Sequence, residues 1–104
     1  MDPQLKRGFL EVCVLAALKQ QDSYGYQIIK DVPECLALTE STLYPLLKRL
    51  EGSECVTEYS VEHNGRLRKY YQILPKGMER IDEFVNESEG IKEVLDYVKR
   101  GAGK

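Results

Sequence analysis

Between Ser41 and Arg49 the chain carries Ser41, Thr42, Tyr44, Lys48 and Arg49 at positions that a helix with a leucine core stripe leaves on its outside. Hydroxyl and phenol groups exchange hydrogen bonds with base edges or phosphate oxygens, and the ammonium and guanidinium that follow one turn later pair with phosphates. A second set lies further on. Residues 65–71 read GRLRKYY, three cations without an acid, so that Arg66, Arg68 and Lys69 beside Asn64 and Gly65 form a compact cationic finger suited to phosphates or a minor groove. Of the seven tyrosines, Tyr24 and Tyr44 are the best placed to reach a phosphate. Catalytic chemistry has no comparable support: there is no nucleophile motif, no glycine-rich phosphate loop and no cluster of His, Cys and carboxylates, and His63 falls in a turn. The expectation is a non-enzyme without metal or cofactor.

These groups need elements to hold them. Leu43, Leu46, Leu47 and Leu50 recur at three- and four-residue spacing and predict a helix over 40–51, with Thr39 as N-cap accepting from a free backbone N–H and Leu38 and Leu43 as a hydrophobic staple. Pro45 violates that helix. It lies past the first turn, removes a hydrogen bond to the Ser41 carbonyl and costs ~3 kcal/mol in an ordinary interior. Before it, Ser23 is placed to cap a helix from Tyr24 to about Val32, with Tyr26, Ile28 and Ile29 available to a core, and Pro33 ends it. Helix, short connection, helix is a helix-turn-helix order.

A first helix over 5–18 is apolar on nearly every side and so calls for two neighbours. After Gly52 the period changes to two, giving strands at 56–61 and 67–74 joined through Asn64-Gly65, a strong hairpin signal. The last helix, from Lys76 to about Arg100, carries a stripe of Met78, Ile81, Val85, Ile91, Leu95 and Val98, broadened by Phe84, Val94 and Tyr97, that nothing left in the chain is expected to cover. Gly90 is positioned to bend it, and the tail GAGK is expected to be disordered. The reading is a mainly α chain with a small β-hairpin: a winged helix-turn-helix domain over 1–74 and a C-terminal dimerisation helix over 75–104, with Phe9, Met78, Ile81, Phe84, Val85, Ile91, Leu95 and Val98 at the dimer interface.

Composition limits the alternatives. One hundred and four residues at 42% hydrophobic content suffice for one domain with a modest core. A net charge of −2 argues mildly against a nucleic-acid partner, but the distribution is uneven: residues 77–104 hold seven acids against five bases, while the finger is purely basic. Cys13, Cys35 and Cys55 are odd in number and widely spaced, which favours small core residues over a disulfide or zinc framework; a redox-sensing thiol is the lesser alternative. No segment approaches the ~18 consecutive apolar residues of a membrane span, and no signal peptide is recognisable, so a cytoplasmic location is expected.

With those residues assembled, the chain resembles the PadR family of bacterial transcription regulators from about Leu5 to Arg100, through YGYQI at 24–28, ESTLYPLLKRLE at 40–51, GRLRKYY at 65–71 and LPKG at 74–77. The resemblance implies a homodimeric winged helix-turn-helix protein of the short second subfamily, whose last helix contacts the partner's first and last helices. It implies a repressor of detoxification, multidrug-transport or phenolic-acid-response genes that binds double-stranded DNA at a pseudo-palindromic operator and is released by a small-molecule effector. A pocket for flat aromatic compounds wants an aromatic wall at the dimer centre, where this chain has Glu87, Ser88, Glu89 and Gly90, leaving Phe9 and Phe84 for a smaller cavity. The rival reading is a winged-helix protein-interaction module without DNA binding, which the retained Lys48, Arg49, Arg66, Arg68 and Lys69 disfavour.

Overall fold

The computed structural model describes residues 2–102, and its elements run α1 (Pro3–Gln20), β1 (Ser23–Tyr24), α2 (Gly25–Asp31), a 3-10 turn (Glu34–Leu36), α3 (Glu40–Gly52), β2 (Val56–His63), β3 (Arg66–Ile73) and α4 (Pro75–Ala102). The protein is mainly helical with one small antiparallel sheet in the order β1-β3-β2. Asp2 starts α1: its carboxylate accepts from the backbone N–H groups of Gln4 and Leu5, both at 3.1 Å, and Pro3 needs no partner at the first helical position.

One core gathers the inward faces of the first three helices and the base of the sheet. Leu10, Val14, Leu15 and Leu18 of α1 meet Ile28 of α2, Leu43, Leu46, Leu47 and Leu50 of α3, and Val56 and Tyr71 of the strands. The staple residue Leu38 is buried beside Leu43. The same leucines explain why Pro45 does not end α3. Burying each is worth roughly 1.5 to 3 kcal/mol, so four of them exceed the ~3 kcal/mol penalty of an interior proline. Pro45 itself faces solvent.

Several local expectations are corrected. Thr39 is the N-cap of α3 by position, and its carbonyl accepts from Thr42 and Leu43, but its side chain makes no cap; the hydroxyl donates to Thr42 Oγ1 at 3.2 Å and lies 3.1 Å from Ser41 Oγ. Ser23 caps nothing. It pairs with Tyr71 as the first residue of β1, and Tyr24 stands at the N-cap of α2 without a side-chain hydrogen bond. The sheet has a third, two-residue strand because this extended approach to α2 lies against β3. Tyr26 faces solvent, with the Lys30 ammonium 4.4 Å from its ring centroid.

The hairpin turns at Asn64 (φ 52°) and Gly65 (φ 80°), a two-residue turn whose positive angles match the right-handed twist of the strands. Gly90 does not interrupt α4, which runs unbroken for 28 residues and carries the molecule to a longest extent of 61 Å. Gly101 and Ala102 belong to α4, correcting that part of the expected tail, and Gly103 and Lys104 lie outside the described residues. Near its start the α4 stripe is partly covered by the chain itself, contrary to expectation, while Met78 stays exposed. Ile81 packs on the core, Phe84 meets Phe9 edge to face at 5.7 Å, and Arg80 donates to Glu11 of α1. From Val85 on the stripe is bare: Val85, Ile91, Leu95 and Val98 are all about half exposed.

Candidate nucleic-acid interface

The leucine core dictates which side of α3 faces outward. With 43, 46, 47 and 50 buried, Ser41, Pro45 and Lys48 occupy the middle of the free face at about 100° per residue. Thr42 and Arg49 fall on the edge toward α1, and Tyr44 and Glu51 on the edge toward the wing. Thr42 and Tyr44 therefore stand on opposite edges, although they are only two residues apart.

The Tyr44 phenol lies against the start of α2. A Cβ at Gly25 would overlap the Tyr44 hydroxyl, so the glycine leaves the room into which the phenol leans, while nearly half of the tyrosine surface remains in solvent. Between this edge and the wing lies a groove of about 290 Å³ that also touches Lys48, Glu51, Glu58 and Lys69. Its charges balance. Lys69 pairs with Glu58 at 3.6 Å, both ends remaining partly hydrated, so the pair is worth little to stability but occupies the ammonium.

The cationic finger is divided by the pleat. Arg66 and Arg68 point to the outer face of the sheet with Tyr70, whereas Lys69 shares the opposite face with the buried Tyr71. On the outer face Tyr24, Tyr70 and Tyr59 form a row across all three strands, Tyr24 edge to face with Tyr70 at 5.4 Å and Tyr70 stacked on Tyr59 at 5.8 Å. Tyr59 donates to Asp22 at 2.6 Å, and this hydrogen bond, more than the smaller effects of burial and nearby charge, holds its phenol proton above the ordinary range. The Arg68 guanidinium stacks on Tyr24, 4.4 Å from the ring centroid. Tyr24 is thus half-buried beneath the arginine that would meet a phosphate.

The α1 side of the second edge of α3 was not singled out by sequence pattern, although Thr42 and Arg49 on α3 were. A groove of about 400 Å³ runs between α3 and the start of α1, where Lys6 and Arg7 join Ser41, Thr42, Pro45 and Arg49. A signal existed: the adjacent Lys6 and Arg7 open an otherwise apolar helix. Burial separates the cysteines, with Cys35 exposed, Cys13 half-buried and Cys55 buried; burial first, and the neighbouring Cys35 second, push the Cys13 thiol above its ordinary range. Among the described residues no group of His, Cys, Asp and Glu is arranged to hold a metal, and no helix is long and apolar enough to cross a membrane.

Known proteins share this architecture. The chain is 32% identical over 100 residues to an uncharacterized Lysinibacillus sphaericus protein, covering 91% of this chain and 92% of that one. A PadR family transcription regulator from Clostridium difficile is similar at 30% identity and a TM-score of 0.78, over 86% of this chain and 97% of that one. A PadR-like transcriptional regulator from Bacillus cereus is similar at 28% identity and a TM-score of 0.80, over 91% and 95%. The profile of the transcriptional regulator PadR-like family matches residues 14–83, which include β1, α2, α3, the wing and the start of α4. The chain therefore belongs to the PadR-like family, and it is a DNA-binding transcription regulator and not an enzyme.

Proposed function

We propose that the protein is a homodimeric repressor that reads a pseudo-palindromic operator with two copies of α3 and two wings. The observation that carries this reading is the free polar face of α3, centred on Ser41 and Lys48, beside a wing whose Arg66 and Arg68 face outward. In helix-turn-helix docking the front of the recognition helix meets base edges, so Ser41, Thr42 and Tyr44 read sequence while Lys48, Arg49 and the wing hold phosphates. Dimerisation through the bare α4 stripe, from Val85 to Val98, supplies the two-fold symmetry that a paired half-site requires. The wing and the helix act on double-stranded DNA alone, with no cofactor, in the cytoplasm. Release by a small-molecule effector would use Phe9 and Phe84, which meet edge to face, since the middle of α4 carries Glu87, Ser88, Glu89 and Gly90 where a flat aromatic compound wants an aromatic wall.

Selection of bound fragments from the host genome, followed by footprinting, tests this. The expected result is two protected half-sites about one helical turn, or ~34 Å, apart on one face of the duplex. A single unpaired half-site, or no preference over random DNA, rejects the reading.

A further inference from the structure

We propose that the groove between α1 and α3 is a seat for the sugar–phosphate backbone, with Lys6 and Arg7 of α1 acting together with Arg49 as a phosphate clamp; this deepens the reading of α3 as the DNA-contacting helix and rests on it. Three features of the groove point the same way. It is lined by three cations and no carboxylate, in a chain whose net charge is −2. Among the described residues none of Lys6, Arg7 and Arg49 has an ion-pair partner, so their charge is available. The groove on the other edge of α3 differs on both counts, since Glu51 and Glu58 offset Lys48 and Lys69 there and Lys69 is already paired. The unbalanced positive potential of the α3 region therefore lies on the α1 side.

The shape suits the same occupant. Pro45 and Leu10 give an apolar floor of about the character of a deoxyribose face, while the cations and the Ser41 and Thr42 hydroxyls supply the polar lining. The interior proline belongs to this lining, where it presents a compact apolar ring. A strand passing there would run beside the helix front that meets bases, which is where a major groove is bordered by phosphates.

The test is the salt dependence of binding by the full-length protein to a random-sequence duplex, measured for wild type, for the Lys6→Gln/Arg7→Gln variant and for a charge-matched Lys19→Gln/Lys99→Gln control. Lys19 lies about 20 Å from Lys6 along α1 by helical rise, and Lys99 is in the last turn of α4. The clamp variant should lower the log–log salt slope by about 0.9 for each phosphate lost, up to ~2 per protomer, with the control close to wild type. Glutamine keeps the exposed helix, and matched melting curves for the variants check this. Binding by the charge-retaining Lys6→Arg/Arg7→Lys variant should match wild type. A wild-type protein that binds DNA together with an unchanged slope in the clamp variant overturns the clamp alone. Equal losses in clamp variant and control reduce it to a net-charge effect and overturn it as well. Absence of DNA binding by wild type overturns the clamp and the operator reading together.

Discussion

The Tyr44 hydroxyl lies where a β-carbon at Gly25 would stand, so the start of α2 and the front of α3 are matched in size at this one point. Gly25→Ala should push the half-exposed phenol outward at a stability cost of about 1 kcal/mol, because the clash is with the far end of a side chain that can swing. If Tyr44 works from this position, Gly25→Ala and Tyr44→Ala should lose similar operator affinity, and the double variant should lose no more than either alone. Additive losses in binding titrations would show that the contact does not position Tyr44.

Ser23 offers a test of opposite sign for two readings of one residue. Its hydroxyl is buried and has no hydrogen-bond partner among the described residues, so Ser23→Ala should be neutral or stabilising by up to about 1 kcal/mol in urea unfolding. A helix cap would give the reverse, a loss of ~0.5 to 2 kcal/mol.

The wing arginines and Lys69 should separate in salt titrations. Replacing Arg66 and Arg68 with Ala should weaken operator and random DNA alike and reduce the log–log slope by up to ~2 units. Lys69→Ala should change it by clearly less than the ~0.9 of one phosphate contact, since Glu58 already holds that ammonium at 3.6 Å. A Lys69→Ala change half as large as that of the double variant would remove the distinction.

Leu95→Glu/Val98→Glu should convert a dimer to a folded monomer. Both side chains are about half exposed and touch nothing in the described core, so the change acts on association and not on the fold. Light scattering with circular dichroism reads both. A wild type that is monomeric at micromolar concentration would sink the α4 interface.

Alkylation of the folded protein should follow burial, Cys35 first, then Cys13, then Cys55. The raised Cys13 proton affinity, caused mainly by burial, lowers its thiolate fraction near neutral pH and slows it further. A Cys13 that reacts faster than Cys35 would revive a redox role.

Much of the architecture was legible along the chain. The leucine spacing of α3, the change to period two after Gly52 and the Asn64-Gly65 turn are local patterns, each readable within a dozen residues, and each is realised in the fold. The bare half of α4 was legible in the same way. The separation of Thr42 from Tyr44 was also available, since two helical steps turn about 200°, but it needed the buried face as a reference.

What only the tertiary structure decided are relationships between residues far apart in sequence. Ser23 reads as a cap until Tyr71, forty-eight residues later, offers its backbone as a strand partner. Arg68 and Lys69 read as one basic finger until the pleat sends one onto Tyr24 and the other to Glu58. Ile81 and Phe84 stand on one apolar stripe with Val85 until packing sets Ile81 against the core and Phe84 against Phe9, and Lys6 and Arg7 meet Arg49 only because α3 packs alongside α1. The sequence by itself determined the elements and their polar and apolar faces, because these follow from periodicities of 3.6 and 2 within one segment. Which face meets which depended on closing the core, since burial is non-directional and its partners are chosen by the packing of the whole chain.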